Sequence, residues 1–341
     1  MYKIAIVGEA FGEEEERVGK PFVGKSGQLL NSLLTDAGVR REDCLITNVF
    51  NLRPARNDLS TLCVSARDPF RLPGYAALVP GKYLQRQYEP EINRLLSELE
   101  AARPNITVLL GNTPCWALLG KTSVGKLRGA VTTSSSLPSL KVIPTYHPAA
   151  VLRSPDLRAV TVLDLKKAAR ESEFPEIRRK RREIWIEPSI PDLHTFYMKH
   201  IFSAARIAFD IETAYEQITC IGFATSPLNA LVIPFVDSRK PQGNYWPTLA
   251  EELEAWKFVA KVLASAKPKV GQNGKYDIEY LWAKYGIPVN NYADDTMLLH
   301  HSLLPESPKG LAFLGSVYTD EAAWKLNRPK GKHTEKPEDE E

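Results

Sequence analysis

Two α/β units in one chain are what this sequence predicts, and three observations predict it. The apolar run of residues 4–7 feeds directly into a glycine-rich stretch, residues 8–24, after which Leu29, Leu30, Leu33, Leu34 and Ala37 recur at helical spacing. That alternation of strand and helix repeats as far as residues 157–170. Five consecutive basic residues, 178–182, then interrupt the chain between Pro175 and Pro188, and a fresh set of strand-like runs follows. A length of 341 residues leaves room for two domains, each able to bury its own core.

Composition excludes several classes. Hydrophobic residues at 43% and charged residues at 25% are ordinary for a globular chain, and a net charge of +3 argues for nucleic acid only where local clusters carry the case. Cys44, Cys63, Cys115 and Cys220 are scattered with no CxxC pair, which argues against a zinc knuckle and a disulfide framework and for a reduced, cytoplasmic setting. Strand-like sequence starts at Tyr2, so no signal peptide is expected, and no uncharged apolar run is long enough to span a bilayer.

In chain order, residues 44–49 form a second predicted strand, followed by an irregular basic segment, residues 51–57. Mixed Pro, Gly and Arg over residues 58–87 suggest a surface insertion. Residues 89–102 are amphipathic and helical; residues 106–110 supply a third strand stopped by Gly111 and Asn112, with a short helix over 115–119. Residues 141–145 are a fourth strand, which delivers Tyr146, His147 and Pro148 at its end. The basic run reads either as a solvated connector or as a phosphate-contacting patch. Beyond it, residues 206–209, 219–223 and 231–235 suggest an antiparallel meander, with helices near 250–265 and 276–285. The expected division is 1–172 for the first unit, 173–187 for a basic linker, 188–325 for the second unit and 326–341 for a polar, disordered tail.

The glycine-rich loop, Asn48, Asn57 and residues 146–150 all fall at one edge of a predicted parallel sheet, where open α/β folds bind ligands. Neither GxGxxG nor a P-loop is present, and Glu13 to Glu16 would repel a phosphate, so the loop suits water or a neutral ring. An enzyme that excises a base holds it out of the stack, reads its edge and stabilises charge as the glycosidic bond breaks. Asparagine offers donor and acceptor together, matching a pyrimidine O4 and N3–H. Histidine can donate to the O2 of the departing base. Phe22 is placed to stack on the ring, and Glu15 or Glu9 to position water. Each has a plainer alternative: the glutamates as a solvated helix start, Phe22 and His147 as packed core residues.

Residues 8–12, 19–24 and 47–49, Arg53 and Pro54 with Asn57, and residues 147–153 together resemble the family-4 uracil-DNA glycosylases over roughly residues 1–170. The resemblance implies a three-layer sandwich with a central parallel sheet. It implies that Glu9, Ala10 and Asn48 line a uracil pocket with Asn57 nearby, that Phe22 stacks, that Glu15 handles water and that His147 stabilises the leaving base. Leu152 and Arg153 would enter the DNA where the base left. Phe11 replaces the family's usual proline, either tightening the pocket or blocking it. That family usually holds an iron–sulfur cluster on four cysteines; here Leu52 occupies the place of one, no pair precedes the first strand, and no cluster is expected.

In the second unit, Asp210 and Glu212 stand two positions apart on a predicted strand and face the same side, where two metal ions about 4 Å apart can share them in phosphodiester cleavage. Residues 271–277 open a helix and add Asp277; Asp294 and Asp295 follow. This order resembles the DnaQ-like 3′–5′ exonuclease domain, particularly the proofreading domain of phage A-family DNA polymerases, over roughly residues 184–325. The resemblance implies a ribonuclease-H-like sheet with Mg²⁺ or Mn²⁺ on Asp210, Glu212 and Asp277. Asn273 and Tyr276 would support the site, and Asp295 would be structural. The family completes its site with a fourth aspartate further on; at the matching distance from His333 stands Glu338, so the domain is expected to be truncated. A separate polymerase chain supplying that aspartate is the expected partner, with DNA as substrate. The alternative is a non-catalytic, uracil- or DNA-binding front part of a split phage polymerase.

Overall fold

The computed structural model describes residues 2–321, and the chain divides into two compact units. In the first unit, β1 (Ile4–Ala10) leads through α1 (Glu13–Val18) and α2 (Lys25–Asp36) to β2 (Cys44–Phe50). A short hairpin, β3 (Cys63–Ser65) and β4 (Lys82–Leu84), precedes α3 (Glu89–Ala102) and β5 (Ile106–Leu110). Then come α4 (Asn112–Leu119), α5 (Val124–Leu127), β6 (Thr132–Thr133), β7 (Lys141–Thr145), α6 (Pro148–Arg153) and α7 (Leu157–Glu171). The sheet order is β2-β1-β5-β7-β6, parallel except at β6. β1, β5 and β7 are apolar almost throughout because both faces are covered, as parallel sheets require: Leu30, Leu33 and Leu34 of α2 pack on one side, Leu95 of α3 and Trp116 of α4 on the other. The chain goes from β1 to β2 on one side and then returns to β5 on the other, so the crevice at the carboxyl ends of β1 and β5 is a topological switch point.

The second unit has β8 (Glu183–Ile186), α8 (Ile190–Phe196), β9 (Ile207–Ala214), β10 (Gln217–Ser226), β11 (Asn229–Pro234) and α9 (Leu249–Leu263). It continues with β12 (Lys269–Gly271), α10 (Lys275–Tyr285), β13 (Tyr292–Asp295) and α11 (Thr296–Leu303). The expected meander is there, β9-β10-β11 being antiparallel, but it sits inside a six-stranded sheet, β13-β12-β9-β10-β11-β8, whose other pairings are parallel. α8 and α9 both begin on capping boxes, Ser189 with Asp192 and Thr248 with Glu251, which satisfy backbone N–H groups at their first turns.

Three expectations change. Residues 58–87 are not a mere surface insertion, because Leu62, Leu72, Leu78 and Leu84 are buried in the first unit's core. The linker is shorter than 173–187. Buried Lys141 donates to the carbonyls of Glu171, Phe174 and Glu176, tying that stretch to the first unit, while residues 183–186 add a strand to the second sheet. Finally, the segment from Ala312, expected with the second unit, groups with the first by its contacts, through α12 (Leu311–Tyr318). The physical reason is a set of hydrogen bonds from Arg128 and Lys167 to Ser316 and Thr319. The expected tail, with His333 and Glu338, lies outside the described residues. No helix among the described residues is long and apolar enough to cross a membrane.

Candidate active site

Strand register brings the first unit's polar residues together. Gly8 pairs with Asn48 and Leu110 with Thr145, so the residues that follow β1, β2, β5 and β7 emerge along one edge. There they enclose a cavity of about 270 Å³, lined among others by Glu9, Phe22, Asn48 and His147. That volume lies near the small end of the roughly 300–1,000 Å³ usual for ligand pockets and matches a single nucleobase better than a larger ligand. Ala10, Phe11, Glu15 and Asn57 also line it. Phe11 thus forms part of the wall of a cavity that is present beside it.

Asn48 is 2% exposed and its side chain lines the cavity. An amide on a cavity wall offers a donor and an acceptor together. Its strand end is held by Arg94, whose Nη2 donates to the carbonyls of Asn48 (2.8 Å) and Val49 (3.1 Å). Gly8 makes room for the approach: a Cβ there would stand 2.2 Å from Asn48 Oδ1 and 2.5 Å from Phe22 Cζ.

Phe22 is buried, lies 5.6 Å from the His147 ring and has φ of 56°, a left-handed conformation that costs a non-glycine residue about 1–3 kcal/mol. Two residues the sequence did not single out hold it. Arg41 Nη2 donates to the carbonyls of Phe22 (3.1 Å) and Pro21 (3.3 Å). Gly27 admits the loop, since a Cβ there would fall 1.9 Å from Phe22 O. Gly27→Ala must displace the Phe22 backbone. It is expected to destabilise the first unit by about 3 kcal/mol or more, read in a thermal melt, and to abolish ligand binding in the cavity.

The acidic cluster splits. Glu13 and Glu16 are exposed and pair with Arg53, whereas Glu15 is buried and its Oε1 accepts the N–H groups of Val23 (3.0 Å) and Gly24 (2.9 Å). One oxygen thus fixes the loop that carries Phe22, while Oε2 remains on the side of Gly12. Glu9 accepts from Thr113 Oγ1 (2.6 Å); burial pushes its carboxyl up, against that hydrogen bond and the Arg153 charge. Asn57 accepts from Arg53 Nε (2.9 Å) at the cavity rim.

His147 caps α6. Its Nδ1 accepts from the Ala149 N–H (3.1 Å), so in the neutral ring the proton sits on Nε2. Burial first, with the Arg153 charge adding and Glu15 opposing, lowers the imidazole to about 4, so it is neutral at pH 7. Leu152 and Arg153 end the same helix outside the cavity wall; Leu152 is 50% exposed.

In the second unit the alternation along β9 buries Phe209 and Ile211 and turns Asp210 and Glu212 to the other face. Asp277, in the first turn of α10, accepts from the Ile211 N–H between them (2.9 Å); burial and the Asp295 and Glu212 charges raise its carboxyl. Tyr276 Oη meets Thr213 Oγ1 at 3.0 Å. Asp295 accepts from the N–H groups of Asn273 (3.1 Å), Gly274 (2.9 Å) and Met297 (2.8 Å) and from Tyr292 Oη (2.7 Å). Burial raises the Asp295 carboxyl, but those four donors more than offset it and hold the net value down. With its oxygens so engaged, Asp295 organises the backbone ahead of α10, and Asn273 is one of the residues it fixes.

Asp210, Glu212 and Asp277 come to one end of the second sheet without forming a complete metal site. Among the described residues, no three His, Cys, Asp or Glu side chains gather closely enough to hold a metal ion. The four cysteines are unpaired, and burial pushes the Cys44 and Cys63 thiols up to about 11, Cys115 to about 12 and raises Cys220.

The family model described as the uracil DNA glycosylase superfamily matches residues 2–172, half of the chain. The chain belongs to the uracil DNA glycosylase superfamily. Over 170 residues this glycosylase-family chain is 36% identical to a type-4 uracil-DNA glycosylase of Thermotoga maritima, an alignment covering 49% of the chain and 76% of that protein. Over 171 residues it is 39% identical to the type-4 enzyme of Archaeoglobus fulgidus, covering 48% and 74%. A second model, described as 3′–5′ exonuclease, matches residues 192–334. A DNA polymerase of Bacillus phage SP01 is 23% identical over 331 residues, 87% of this chain and 32% of that polymerase, so the glycosylase-family chain spans about a third of that relative's length. A glycosylase-type unit followed by an exonuclease-type unit is therefore the composition of the chain.

Proposed function

We propose that the first unit hydrolyses the N-glycosidic bond of uracil in DNA. The observation that carries this reading is the convergence of the buried Asn48 amide and the neutral, Nε2-protonated His147 on one base-sized cavity. The similarity to type-4 uracil-DNA glycosylases supports it. Asn48 reads the pyrimidine edge, Phe22 stacks on the ring, and Ala10 and Glu9 complete the wall. Asn57 borders the entrance. As the bond from C1′ to N1 breaks, its electron pair stays on the base and the charge reaching O2 is met by the His147 Nε2–H. Glu15, through the oxygen not engaged with the loop, orients the water that adds to C1′. Leu152 fills the space left in the duplex and Arg153 follows it, an apolar wedge with a cation beside it. None of these steps passes through an iron–sulfur cluster. Incubation with a single-uracil oligonucleotide followed by alkali tests the reading: strand scission at the uracil is expected. Tight binding without scission would leave a uracil sensor instead.

For the second unit we infer a 3′–5′ exonuclease-type module acting on DNA with Mg²⁺ or Mn²⁺, in which Asp210, Glu212 and Asp277 are donors to an incomplete site. Asn273, Tyr276 and Asp295 support them. The described residues place no complete ligand set there, and a polymerase partner is the proposed source of a further carboxylate. The exonuclease-family match and the phage polymerase relative support the exonuclease part of this reading. The isolated chain is expected to leave a labelled 3′ end intact in Mn²⁺ and to shorten it once the polymerase partner is added. Full-rate digestion by the chain alone would refute the partner.

A further inference from the structure

The second unit occupies residues 178–311, yet the segment from Ala312 belongs to the first unit. Its attachment is specific. Arg128 Nη1 donates to Ser316 Oγ (2.7 Å), and Lys167 Nζ donates to the carbonyls of Ser316 (2.9 Å) and Thr319 (2.7 Å) at the end of α12. The rest of the Arg128 guanidinium grips Asp164, with Nε on Oδ2 at 2.9 Å and Nη2 on Oδ1. Asp164 Oδ2 in turn accepts from Thr145 Oγ1 (2.7 Å). Thr145 is the last residue of β7, and His147 follows two positions later. Arg128 and Asp164 are each 2% exposed and Thr145 is fully buried, so water cannot readily replace a bond lost from this chain of contacts.

We propose that α12 is a working part of the base-excision site: through Ser316, Arg128, Asp164 and Thr145 it fixes the end of β7 and with it the placement of His147. These four are positioning residues, none of which lines the cavity. The inference rests on the excision reading for its activity readout. A guanidinium relieved of Ser316 turns within its pocket and takes the Asp164 carboxylate with it, and Thr145 loses its anchor. Displacing a catalytic group by about 1 Å can cost a hundredfold in rate, so a fraction of that shift is expected to cost about tenfold.

The test uses the full chain carrying Ser316→Ala, Thr145→Val, Thr145→Ser or both of the first two. Uracil release is measured at saturating and limiting substrate, and hydrogen–deuterium exchange is followed over residues 141–153. Ser316→Ala and Thr145→Val are expected to lower kcat about tenfold with KM unchanged and to speed exchange at residues 146–150. Thr145→Ser, which retains the hydroxyl, is expected to stay near the parent. The double variant should be no slower than Thr145→Val, because both changes cut one path. Phe313→Leu removes the ring 5.4 Å from the Arg128 guanidinium and should lower kcat in the same direction if Ser316→Ala proves unstable. Parental kcat in the α12 variants, or losses that multiply in the double variant, would overturn the proposal. If the parent chain releases no uracil, the excision reading falls, and unchanged exchange at residues 146–150 in Ser316→Ala would separately overturn this one.

Discussion

His147→Ala should slow uracil release by about 10²–10³-fold at saturating substrate, the usual loss when a preorganised donor to developing negative charge is removed. The expectation rests on which nitrogen carries the proton. Because Nδ1 accepts the Ala149 N–H, the neutral ring has its hydrogen on Nε2, and protonating Nδ1 would break the cap on α6. With the imidazole lowered to about 4, kcat/KM should show no inflection near the ordinary histidine value of 6.5. An inflection there that disappears in His147→Ala would mean that the ring works as an imidazolium, against the geometry. Stability follows the same linkage. Between pH 6.5 and about 4 the unfolded chain binds a proton at this residue that the folded chain does not. The His147 contribution is therefore complete above 6.5 and lost as pH falls toward 4, which a melt series across that window will read.

Asn48→Leu is the second large effect. Leucine is nearly isosteric with asparagine, and Arg94 holds the strand end through backbone carbonyls, so the cavity keeps its shape while losing its donor and acceptor. A fall in kcat/KM of about 10²–10³-fold is expected, with thermal stability within a few degrees of the parent. A variant that excises uracil normally would move base recognition elsewhere on the cavity wall.

Much of this site was legible in the sequence because its signals are local. Apolar runs that end in glycine or asparagine mark strand ends, and parallel strands joined by helices must discharge their loops at one edge. Glu9, Asn48 and His147 follow from that rule alone. The residues that hold them were not legible. Arg41 reads as one of several surface arginines, Arg94 as part of an amphipathic helix, and Thr113 as the start of a short one. The double role of Glu15 inside a run of four glutamates was equally hidden, since only burial separates it from its neighbours.

The sequence by itself determined two α/β units, their order, the strand that presents Asp210 and Glu212 on one face, and the edge at which the first unit's polar residues meet. Those features depend on periodicity and on turn residues, which act over a few positions. Only the tertiary structure decided that Lys141 binds residues 171–176 to the first unit, that residues 183–186 close the second sheet, and that Ser316 returns to Arg128 across 188 positions. Such contacts are chosen by which buried donors and acceptors need partners once the core has formed, and spacing along the chain carries no trace of that choice.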